Sequence, residues 1–503
     1  MNLAKFFSFG SDEVYNIVEG NILTMNVRLH NIVDIPLAVD LDGTLISTDL
    51  LWESAFQLLR ANPLYLFLLP IWLVSGKARL KTEIARRVTL DASHLPYRED
   101  FISYLRAERV NGRELILVTA AAEPFAKAVA AHLGLFSAVY HTDEKTNLAS
   151  AKKAALLCEL YGQNGFDYAG NDKADIAVFK QARNAIVVAP DAAADRYQKT
   201  HSSMRFDAKR PGIKTYIKML RVHQWLKNFL VFASPVLAHT VFQPETFIAT
   251  TLALVAFSLS ASAIYIINDI LDLPLDRQHP TKRNRPFASG AISIPYGLLV
   301  SVLLLVATAA ICTLLPLQFA AVIVLYLVVT TAYSLALKRM LLIDVLCLAG
   351  LYSLRIMGGK AATDLPLSFW LIAFGLFFFL SLALVKRYVE LRYTTVDVGD
   401  RIAGRGYRPE DIHIVAQSGI ASAFAAALVL SLYIHSPDIR ALYNEPWVIW
   451  PLVPMVLYIN VRIWILAHRK EMDDDPVVFI ATDWRSQMFI AAGAVLFLIA
   501  SIL

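Results

Sequence analysis

Apolar residues are distributed differently in the two halves of this 503-residue chain. Up to about residue 200, short apolar runs alternate with charged segments, as in a globular domain. Beyond that point, long apolar runs are separated by charged loops, which is the pattern of helices that cross a membrane. The pattern therefore predicts two domains, with a boundary near residue 205.

Several apolar runs in the first half end in polar residues, and helical stretches lie between them. The runs predicted as strands are Ile35–Val39, Glu114–Val118, Phe166–Ala169 and Ala185–Val188. Strands that alternate with helices predict a parallel sheet, and polar residues at the strand ends lie where such sheets bind ligands. The fold class predicted for residues 1–204 is therefore α/β, a Rossmann-type parallel sheet with a small helical cap near residues 50–100.

The second half is predicted to be an all-α, multi-pass membrane domain over residues 228–503. About nine membrane helices fit its apolar runs, at about 226–243, 247–268, 296–315, 318–336, 341–359, 366–386, 414–434, 446–467 and 486–503. The loops after every second helix are rich in Lys and Arg, so the positive-inside rule puts them on the cytosolic side of a bacterial-type inner membrane. The C-terminus is then expected on the far side.

A basic segment, residues 205–227, joins the two domains. It contains seven Lys and Arg residues and one acid, Asp207, with apolar residues between them. We interpret it as an interfacial helix on an anionic membrane leaflet. Because the N-terminal stretch lacks the apolar core of a signal peptide, the first domain is expected in the cytosol.

The end of the second predicted membrane helix carries an unusual polar pattern, within Ile264–Gly290. Its polar residues are Asn268, Asp269, Asp272 and Asp276, followed by the bases Arg277, His279, Lys282, Arg283 and Arg285. If the helix continues through the acids, their spacing puts the three carboxylates on one face. Carboxylates at a membrane helix end are costly and indicate a functional site. Acids that hold Mg²⁺ and bases that take phosphate charge would together bind a diphosphate.

A second apolar stretch, Pro63–Val74, lies inside the first domain. Its 12 residues are too few to span a bilayer as a helix. Two interpretations are equally consistent with it: an ordinary buried helix of the cap, or a segment that dips into the membrane interface near a lipid substrate.

The polar residues at the predicted strand ends form four motifs in order. They are Asp40-Leu41-Asp42-Gly43-Thr44, Thr119, Lys152-Lys153 and Gly170-Asn171-Asp172-Lys173-Ala174-Asp175. Over residues 34–195 this series resembles the haloacid dehalogenase (HAD) phosphatase superfamily. The resemblance implies that Asp40 is the nucleophile and Asp42 the general acid and base, because one carboxylate must attack phosphorus while another protonates the leaving oxygen.

The same resemblance implies that Thr119 and Lys153 hold phosphoryl oxygens and that Mg²⁺ neutralises the transferring group. Its metal ligands would be Asp40, Asp42, Asn171 and Asp175. Asn171 departs from the family pattern, which has an acid there, so metal affinity is expected to be lower unless Asp172 or Asp175 compensates. The alternative is a degenerate HAD domain that serves as a scaffold.

The pattern N-D-x-x-D-x-x-x-D resembles the UbiA superfamily of intramembrane prenyltransferases, over about residues 210–503. The resemblance implies that Asp269, Asp272 and Asp276 are catalytic Mg²⁺ ligands. The second acidic motif of that family is not cleanly present. At its position stands Lys386-Arg387-Tyr388-Val389-Glu390-Leu391, followed by Asp397 and Asp400, and Glu390 is the metal ligand that we expect there.

The basic sequences H-P-T-K-R-x-R-P and K-R-Y-x-E-L look like the polyprenyl-phosphate phosphoribosyltransferase branch of that superfamily. This implies transfer of 5-phosphoribosyl from phosphoribosyl pyrophosphate (PRPP) to a polyprenyl phosphate, with release of pyrophosphate. The expected substrate-binding residues are Asn268, His279, Lys282, Arg283, Arg285, Lys386, Arg387 and Tyr388. Arg355, inside an apolar run, is expected to face the cavity, whereas Asp473–Asp475 is expected to be a solvated acidic turn.

The two domains have compatible chemistry. A phosphoribosyl lipid is a phosphomonoester, so the HAD domain is predicted to remove its 5-phosphate and leave polyprenylphosphoryl-ribose. The alternatives are a prenyltransferase that moves a polyprenyl chain from its diphosphate to an aromatic or other acceptor, and a non-catalytic lipid-binding protein. No nucleic-acid partner is expected. A homo-oligomer, the polyprenyl length and the fate of the product stay open.

Overall fold

The computed structural model describes residues 35–502 apart from 145, 202, 209, 366–367, 394–404, 444 and 473–474. By spatial proximity these residues form two compact units. The first contains the residues up to Thr215 together with Asp269–Tyr296, and the second contains Tyr216–Asn268 and the residues from Gly297 onward. The segment Asp269–Tyr296, which carries the acids and bases, thus belongs to the same unit as the α/β domain. A division of the chain by sequence position alone would separate the two.

The first unit is built on a six-stranded, wholly parallel sheet in the order β3-β2-β1-β4-β5-β6. Its strands are β1 Leu37–Val39, β2 Leu115–Ala122, β3 Ala138–Thr142, β4 Asp167–Gly170, β5 Ala185–Val188 and β6 Met204–Phe206. Val39 pairs with both Leu117 and Ala169, so the carboxyl ends of β1, β2 and β4 meet at one edge. The predicted α/β fold is confirmed.

Eight helices complete the α/β part of this unit in the described residues. They are α1 Leu50–Ala61, α2 Leu68–Val74, α3 Lys77–Ala85, α4 Glu99–Val110, α5 Glu123–Leu133, α6 Ala151–Tyr161, α7 Ile176–Phe179 and α8 Ala192–His201. The first three lie between β1 and β2, where the cap was predicted. Asp49 caps α1, because its carboxylate accepts hydrogen bonds from the N–H groups of Leu51 and Trp52.

The apolar stretch of the cap is mostly exposed. It forms a 3-10 helix, Pro63–Phe67, and then α2, and Trp72 is the only buried side chain in the two helices. Phe67 is 71% exposed and Val74 is 90% exposed. The first of the two sequence interpretations, a buried cap helix, is therefore wrong.

The helices from the domain junction onward are α9 Ile213–Leu220, α10 Ala233–Leu237, α11 Pro244–Leu271, α12 Leu273–Gln278, α13 Ile294–Cys312, α14 Leu317–Leu335, α15 Ile343–Thr363, α16 Phe369–Tyr393, α17 Ile412–Ile434, α18 Pro437–Leu442, α19 Leu452–Arg469, α20 Pro476–Thr482 and α21 Trp484–Ile502. Within the described residues, seven helices are long and apolar enough to cross a membrane. The pair α20 and α21, bent by 75°, would be an eighth. The chain is a multi-pass membrane protein.

The first predicted membrane helix, 226–243, is not a continuous α-helix. The chain there forms an 11-residue 3-10 helix, Val222–Phe232, followed by the five residues of α10. Polar side chains tie it to its neighbours: Trp225 Nε1 donates to Ser262 Oγ over 2.9 Å, and Asn228 Nδ2 donates to Ser258 Oγ over 3.0 Å. Mean hydropathy over a window does not reveal such polar residues. The sequence therefore predicted about nine membrane helices, whereas the described part of the chain contains seven or eight candidates.

Candidate active sites

Asp40, directly after β1, lies in a buried charge cluster. Lys153 on α6 donates to Asp40 Oδ1 over 2.7 Å and to the hydroxyl of Tyr168 over 2.8 Å. The Lys153 Nζ is also 3.6 Å from Asp175 Oδ1. The structure thus brings the predicted nucleophile and the predicted phosphate-binding lysine together, and of the two adjacent lysines it is Lys153 that faces the site.

Asp42 and Asn171 lie on the turn that follows β1 and on the loop that follows β4. Asp42 Oδ1 accepts a hydrogen bond from the Leu50 N–H over 2.9 Å, and Thr44 Oγ1 donates to Asn171 Oδ1 over 3.2 Å. Gly43 has a φ of +76°, and a Cβ there would lie 2.3 Å from the Asn171 amide nitrogen. Only glycine allows this close approach of the turn to Asn171.

Asp175 supports the site and does not present a free carboxylate. It accepts hydrogen bonds from the Tyr168 hydroxyl over 2.6 Å and from the Asn171 N–H over 2.8 Å, and it is buried. Asp172 likewise caps the short 3-10 helix Lys173–Asp175. Because its oxygens are used in this way, Asp175 orients Lys153 and the Asn171 loop, in place of the metal-ligand role that the resemblance implied.

Thr119 lies near the end of β2, and the side chain of Lys81 reaches the same region from α3. Thr119 is fully buried, and its Oγ1 accepts from the Ala121 N–H over 3.0 Å. Lys81 on α3 donates to the carbonyl oxygen of Ala120 over 2.7 Å and to Asn147 Oδ1 over 3.1 Å. Burial lowers the pKa of Lys81, opposed by Asp42, Asp49 and Asp40. No motif of the sequence contains this lysine, because it belongs to the cap.

Two carboxyl groups here carry raised pKa values. Burial raises the pKa of Asp40 to about 7, an effect that Lys153 opposes and Asp175 reinforces. Burial also raises the pKa of Asp42 well above its usual range, and repulsion from Asp49 adds to it. Buried carboxylates that repel each other would be stabilised by a divalent cation, so the donor set, Asp40 and Asp42 with Asn171 nearby, fits Mg²⁺.

The acidic segment is broken at Asp272, so the continuous helix assumed for the same-face arrangement does not form. α11 ends at Leu271 and α12 begins at Leu273, with Pro274 in its first turn. Proline lacks an N–H group and interrupts the helical hydrogen bonds. Asp269 and Asp276 nevertheless converge: Arg285 Nη1 lies 3.2 Å from Asp269 Oδ1 and 2.6 Å from Asp276 Oδ2.

Both converging carboxylates are buried, and Asp276 has a perturbed pKa. Burial raises it, while Arg285 lowers it and Asp269 and Asp272 raise it. The guanidinium of Arg285 marks a position where one cation meets two carboxylates, so this donor set also fits Mg²⁺. Asp272 is turned elsewhere, with an oxygen 3.5 Å from Arg60 Nη2.

The bases after the acids are not one uniform cationic surface. Arg285 bridges the acids, Arg277 is buried, and His279 and Arg283 are exposed, with Lys282 half-buried. The His279 Nδ1 accepts from the Thr281 N–H over 3.3 Å, which shapes the turn. The phosphate-binding role of Lys282, Arg283 and Arg285 stays a prediction, and His279 stabilises the loop.

In the second unit, α16 carries Lys386, Arg387, Tyr388 and Glu390. Arg387 is fully buried, with Nη2 2.7 Å from Asp344 Oδ2, and it also pairs with Glu390. Glu390 lies 3.1 Å from Arg405 Nε as well. Tyr388 shares a hydrogen bond of 2.9 Å with His468 Nδ1. Arg387 has no surface for a phosphate, and Glu390 lies between two arginines, so these two side chains hold α16 against its neighbours.

A second buried polar cluster in this unit was not predicted from sequence as a group. Arg355 Nε donates to Asn228 Oδ1 over 2.8 Å, and Arg355 also contacts the Tyr326 hydroxyl over 3.3 Å. Lys227 pairs with Asp475, and both interact electrostatically with Lys386. Asp475 is therefore not part of a solvated turn. The charges belong to segments far apart in sequence, so only the fold brings them together.

In the described part of the chain, side chains alone do not form a complete set of metal ligands. In the ranges that the structure covers, no three His, Cys, Asp or Glu side chains are arranged so that they could hold one metal ion. Asp397, Asp400, Asp473 and Asp474 lie outside the described residues.

Two parts of the chain match known protein families. Residues 228–493 match the model of the UbiA prenyltransferase family, and residues 37–180 match that of haloacid dehalogenase-like hydrolases. The chain belongs to the UbiA prenyltransferase family. It carries a HAD hydrolase domain at its N-terminal side, and the family resemblances stated from sequence are confirmed.

Individual relatives extend the comparison. This UbiA-family chain is 37% identical over 464 residues to the uncharacterized protein y4nM of Sinorhizobium fredii, covering 91% of this chain and 89% of that one. It is 32% identical over 250 residues to decaprenyl-phosphate phosphoribosyltransferase of Corynebacterium glutamicum, covering 48% and 74%. A UbiA homolog from Archaeoglobus fulgidus, solved bound to GPP and Mg²⁺, is 16% identical with a TM-score of 0.46, covering 57% and 100%.

Proposed function

We propose that the membrane domain transfers 5-phosphoribosyl from PRPP to a polyprenyl phosphate. The observation that carries the proposal is the convergence of the buried Asp269 and Asp276 on one cationic group, Arg285, beside the exposed bases of the same segment. Similarity to a decaprenyl-phosphate phosphoribosyltransferase supports this choice of substrates.

Asp269 and Asp276 would hold Mg²⁺, which would neutralise the pyrophosphate group of PRPP as it leaves, while Asp272 stays paired with Arg60. Lys282, Arg283 and Arg285 would bind phosphate oxygens. An oxygen of the polyprenyl phosphate attacks the anomeric carbon, and pyrophosphate leaves with the electron pair of the broken C–O bond. Because the acceptor is already ionised at neutral pH, the step needs positioning and charge stabilisation more than a strong base.

The HAD domain would then act on the 5-phosphate of the lipid product. Asp40 attacks phosphorus while Asp42 protonates the departing ribose oxygen, giving an aspartyl-phosphate. Asp42 next takes a proton from water, which attacks the aspartyl-phosphate and regenerates Asp40. The raised pKa of Asp42 suits it to carry that proton. The products are polyprenylphosphoryl-ribose and inorganic phosphate.

We place both sites on the cytosolic side of an inner membrane with an anionic leaflet. The acidic segment and the HAD domain share one compact unit, yet α11 lies between them in the chain. This placement requires one more crossing of the membrane before α11, through the segment that is not a continuous α-helix. Val222–Phe232 at about 2 Å per residue and α10 at about 1.5 Å per residue reach about 30 Å, the thickness of the hydrocarbon core. Counting this crossing and the bent pair as one each, the C-terminus lies on the far side.

Radiolabelled PRPP tests the transfer directly. With membranes containing the protein, Mg²⁺ and a polyprenyl phosphate, label is expected in the lipid fraction, and Asp269→Asn or Asp276→Asn should reduce its rate at least about 100-fold, since each removes a charge from the proposed metal site. The matched control is Asp483→Asn, which removes an acid paired with Arg462 at the start of α21. Label that stays in the aqueous phase while a polyprenyl diphosphate alkylates an acceptor would identify a prenyltransferase instead.

A further inference from the structure

The first helix of the cap, α1, is attached at its N-terminus to the phosphatase loop. The Leu50 N–H, at its first residue, donates to Asp42, the proposed acid and base. Thr48 Oγ1, just before the helix, donates to Glu53 Oε1 over 2.5 Å. The position of α1 is thus fixed by the residues that surround the proposed phosphatase site.

The same helix contacts the acidic segment through a buried ion pair. Arg277 Nη1 donates to Glu53 Oε2 over 2.8 Å, and Arg277 Nη2 contacts the other carboxylate oxygen. Arg277 Nε donates to the Ala288 carbonyl oxygen over 3.0 Å. The two side chains are only 7% and 8% exposed. Because its donor nitrogens are used in these contacts, Arg277 is a structural residue and not one of the phosphate-binding bases.

Two further contacts lie along the same surface. At the far end of α1, Arg60 Nη1 lies 3.4 Å from the Leu271 carbonyl oxygen, and Nη2 lies 3.5 Å from Asp272. Gly290 has a φ of +69°, and a Cβ there would lie 2.2 Å from Ser47 Oγ, in the turn that precedes α1. The contacts therefore involve both ends of α1 and both ends of the segment from Asp269 to Gly290.

We infer that α1 of the HAD domain positions the metal-binding segment of the transferase, with Glu53 and Arg60 as positioning residues. The inference rests on the proposed role of Asp269 and Asp276. α12 carries both Asp276 and Arg277, so holding Arg277 fixes the direction in which Asp276 points. Breaking the ion pair would leave one buried charge without its partner and free the loop.

Glu53→Gln in the full-length protein tests the inference. We expect the transfer kcat to fall about 10- to 100-fold and the Mg²⁺ concentration for half-maximal rate to rise, with the KM for polyprenyl phosphate unchanged, because only the metal-binding segment is displaced. The charge exchange Glu53→Arg with Arg277→Glu should recover much of the loss. Arg60→Gln, at a more exposed contact, should give a smaller effect of the same kind.

Hydrogen exchange gives a readout that does not depend on the substrate. Peptides from Asp269–Tyr296 should exchange about 10-fold faster in Glu53→Gln, while peptides from β2 keep their protection. The control is Glu108→Gln, which breaks an ion pair of 2.7 Å with Arg113 beside the sheet. It should change neither the transfer rate nor the exchange of that segment.

The outcomes separate this inference from the proposed function. If wild-type protein does not incorporate label from PRPP but Glu53→Gln still loosens Asp269–Tyr296, the proposed function is wrong and α1 still holds the segment. If exchange of that segment and the Mg²⁺ requirement are the same in wild type and Glu53→Gln, the positioning role is overturned. It is equally overturned if the charge exchange is no better than either single variant.

Discussion

At the scale of single residues, the proposed phosphatase site contains more negative carboxylates than positive side chains to balance them. Asp40 is buried and Asp42 is half-buried, near Asp49 and Asp175, and Lys153 is the cation that donates a hydrogen bond to Asp40. Asn171 adds no charge where the family has an acid. The site is therefore expected to bind Mg²⁺ in competition with protons, since a carboxyl group must be ionised to ligate a metal.

This competition predicts a pH-dependent Mg²⁺ requirement. With the pKa of Asp40 at about 7 in the metal-free protein, the carboxyl is mainly protonated below pH 7 and ionised above it. The half-saturating Mg²⁺ concentration for hydrolysis of a soluble phosphomonoester should therefore fall as pH rises from 6 to 8, by up to about tenfold per pH unit below the pKa. Titrations of activity with Mg²⁺ at each pH measure it.

Asp195→Asn supplies the control for that measurement. Lys199 and Arg205 lower the pKa of Asp195 to about 2, so this surface carboxylate is ionised throughout the range and its removal should leave the profile unchanged. A half-saturating concentration that is constant from pH 6 to 8 in the wild type would contradict the assignment.

At the scale of secondary-structure elements, the cap carries an exposed apolar stretch, Pro63–Val74. Such a stretch is unusual in a domain that contacts only water. Leu64, Phe67 and Val74 are each at least two-thirds exposed, and the exposed bases Lys77 and Arg79 follow them in sequence. A lipid phosphomonoester has to reach Asp40 from a membrane, and an apolar segment with flanking bases is suited to enter the interface.

Replacing Leu64 and Phe67 by Ser should therefore separate two activities. Hydrolysis of a phosphoribosyl lipid in vesicles with anionic lipid should fall about tenfold or more, because the loss of two apolar side chains weakens contact with the interface. Hydrolysis of a soluble phosphomonoester should be unchanged. The matched control is Val110→Ser, another exposed apolar residue, at the end of α4. Equal losses of activity on both substrates would mean that the apolar stretch supports the fold and not the access of a lipid.

At the scale of the whole molecule, one chain carries a proposed transferase and a proposed hydrolase of its product. Covalent linkage raises the effective concentration of each site for the other's lipid. Asp40→Asn removes the nucleophile and keeps the size of the side chain. In a reaction with PRPP and polyprenyl phosphate, we expect this variant to accumulate the lipid-linked 5-phosphoribose, where the wild type gives lipid-linked ribose, as judged by mass spectrometry.

A control variant supports that comparison. Asp195→Asn alters an acid of α8 that is paired with Lys199 and Arg205, and it should leave the product distribution as in the wild type. If the Asp40→Asn and wild-type products are the same, the HAD domain does not act on the product of the membrane domain.

The class of each domain followed from the sequence alone, which also predicted candidate catalytic residues. Strand-end motifs are local, so their resemblance to the HAD superfamily could point to Asp40, Asp42, Thr119 and Lys153. Long apolar runs indicate membrane helices, because a helix needs about 20 apolar residues to cross the lipid. Proposing Asp269 and Asp276 likewise needed only the nearby pattern of acids and bases.

Only the tertiary structure decided which charges are partners. Arg277 and Arg387 look like their exposed neighbours in sequence, but the first pairs with Glu53 and the second with Asp344, residues distant in the chain. Lys81, Lys227 and Asp475 gave no motif for the same reason. Whether a charged side chain meets substrate or an opposite charge depends on burial and on long-range contacts, and a local pattern does not contain either of them.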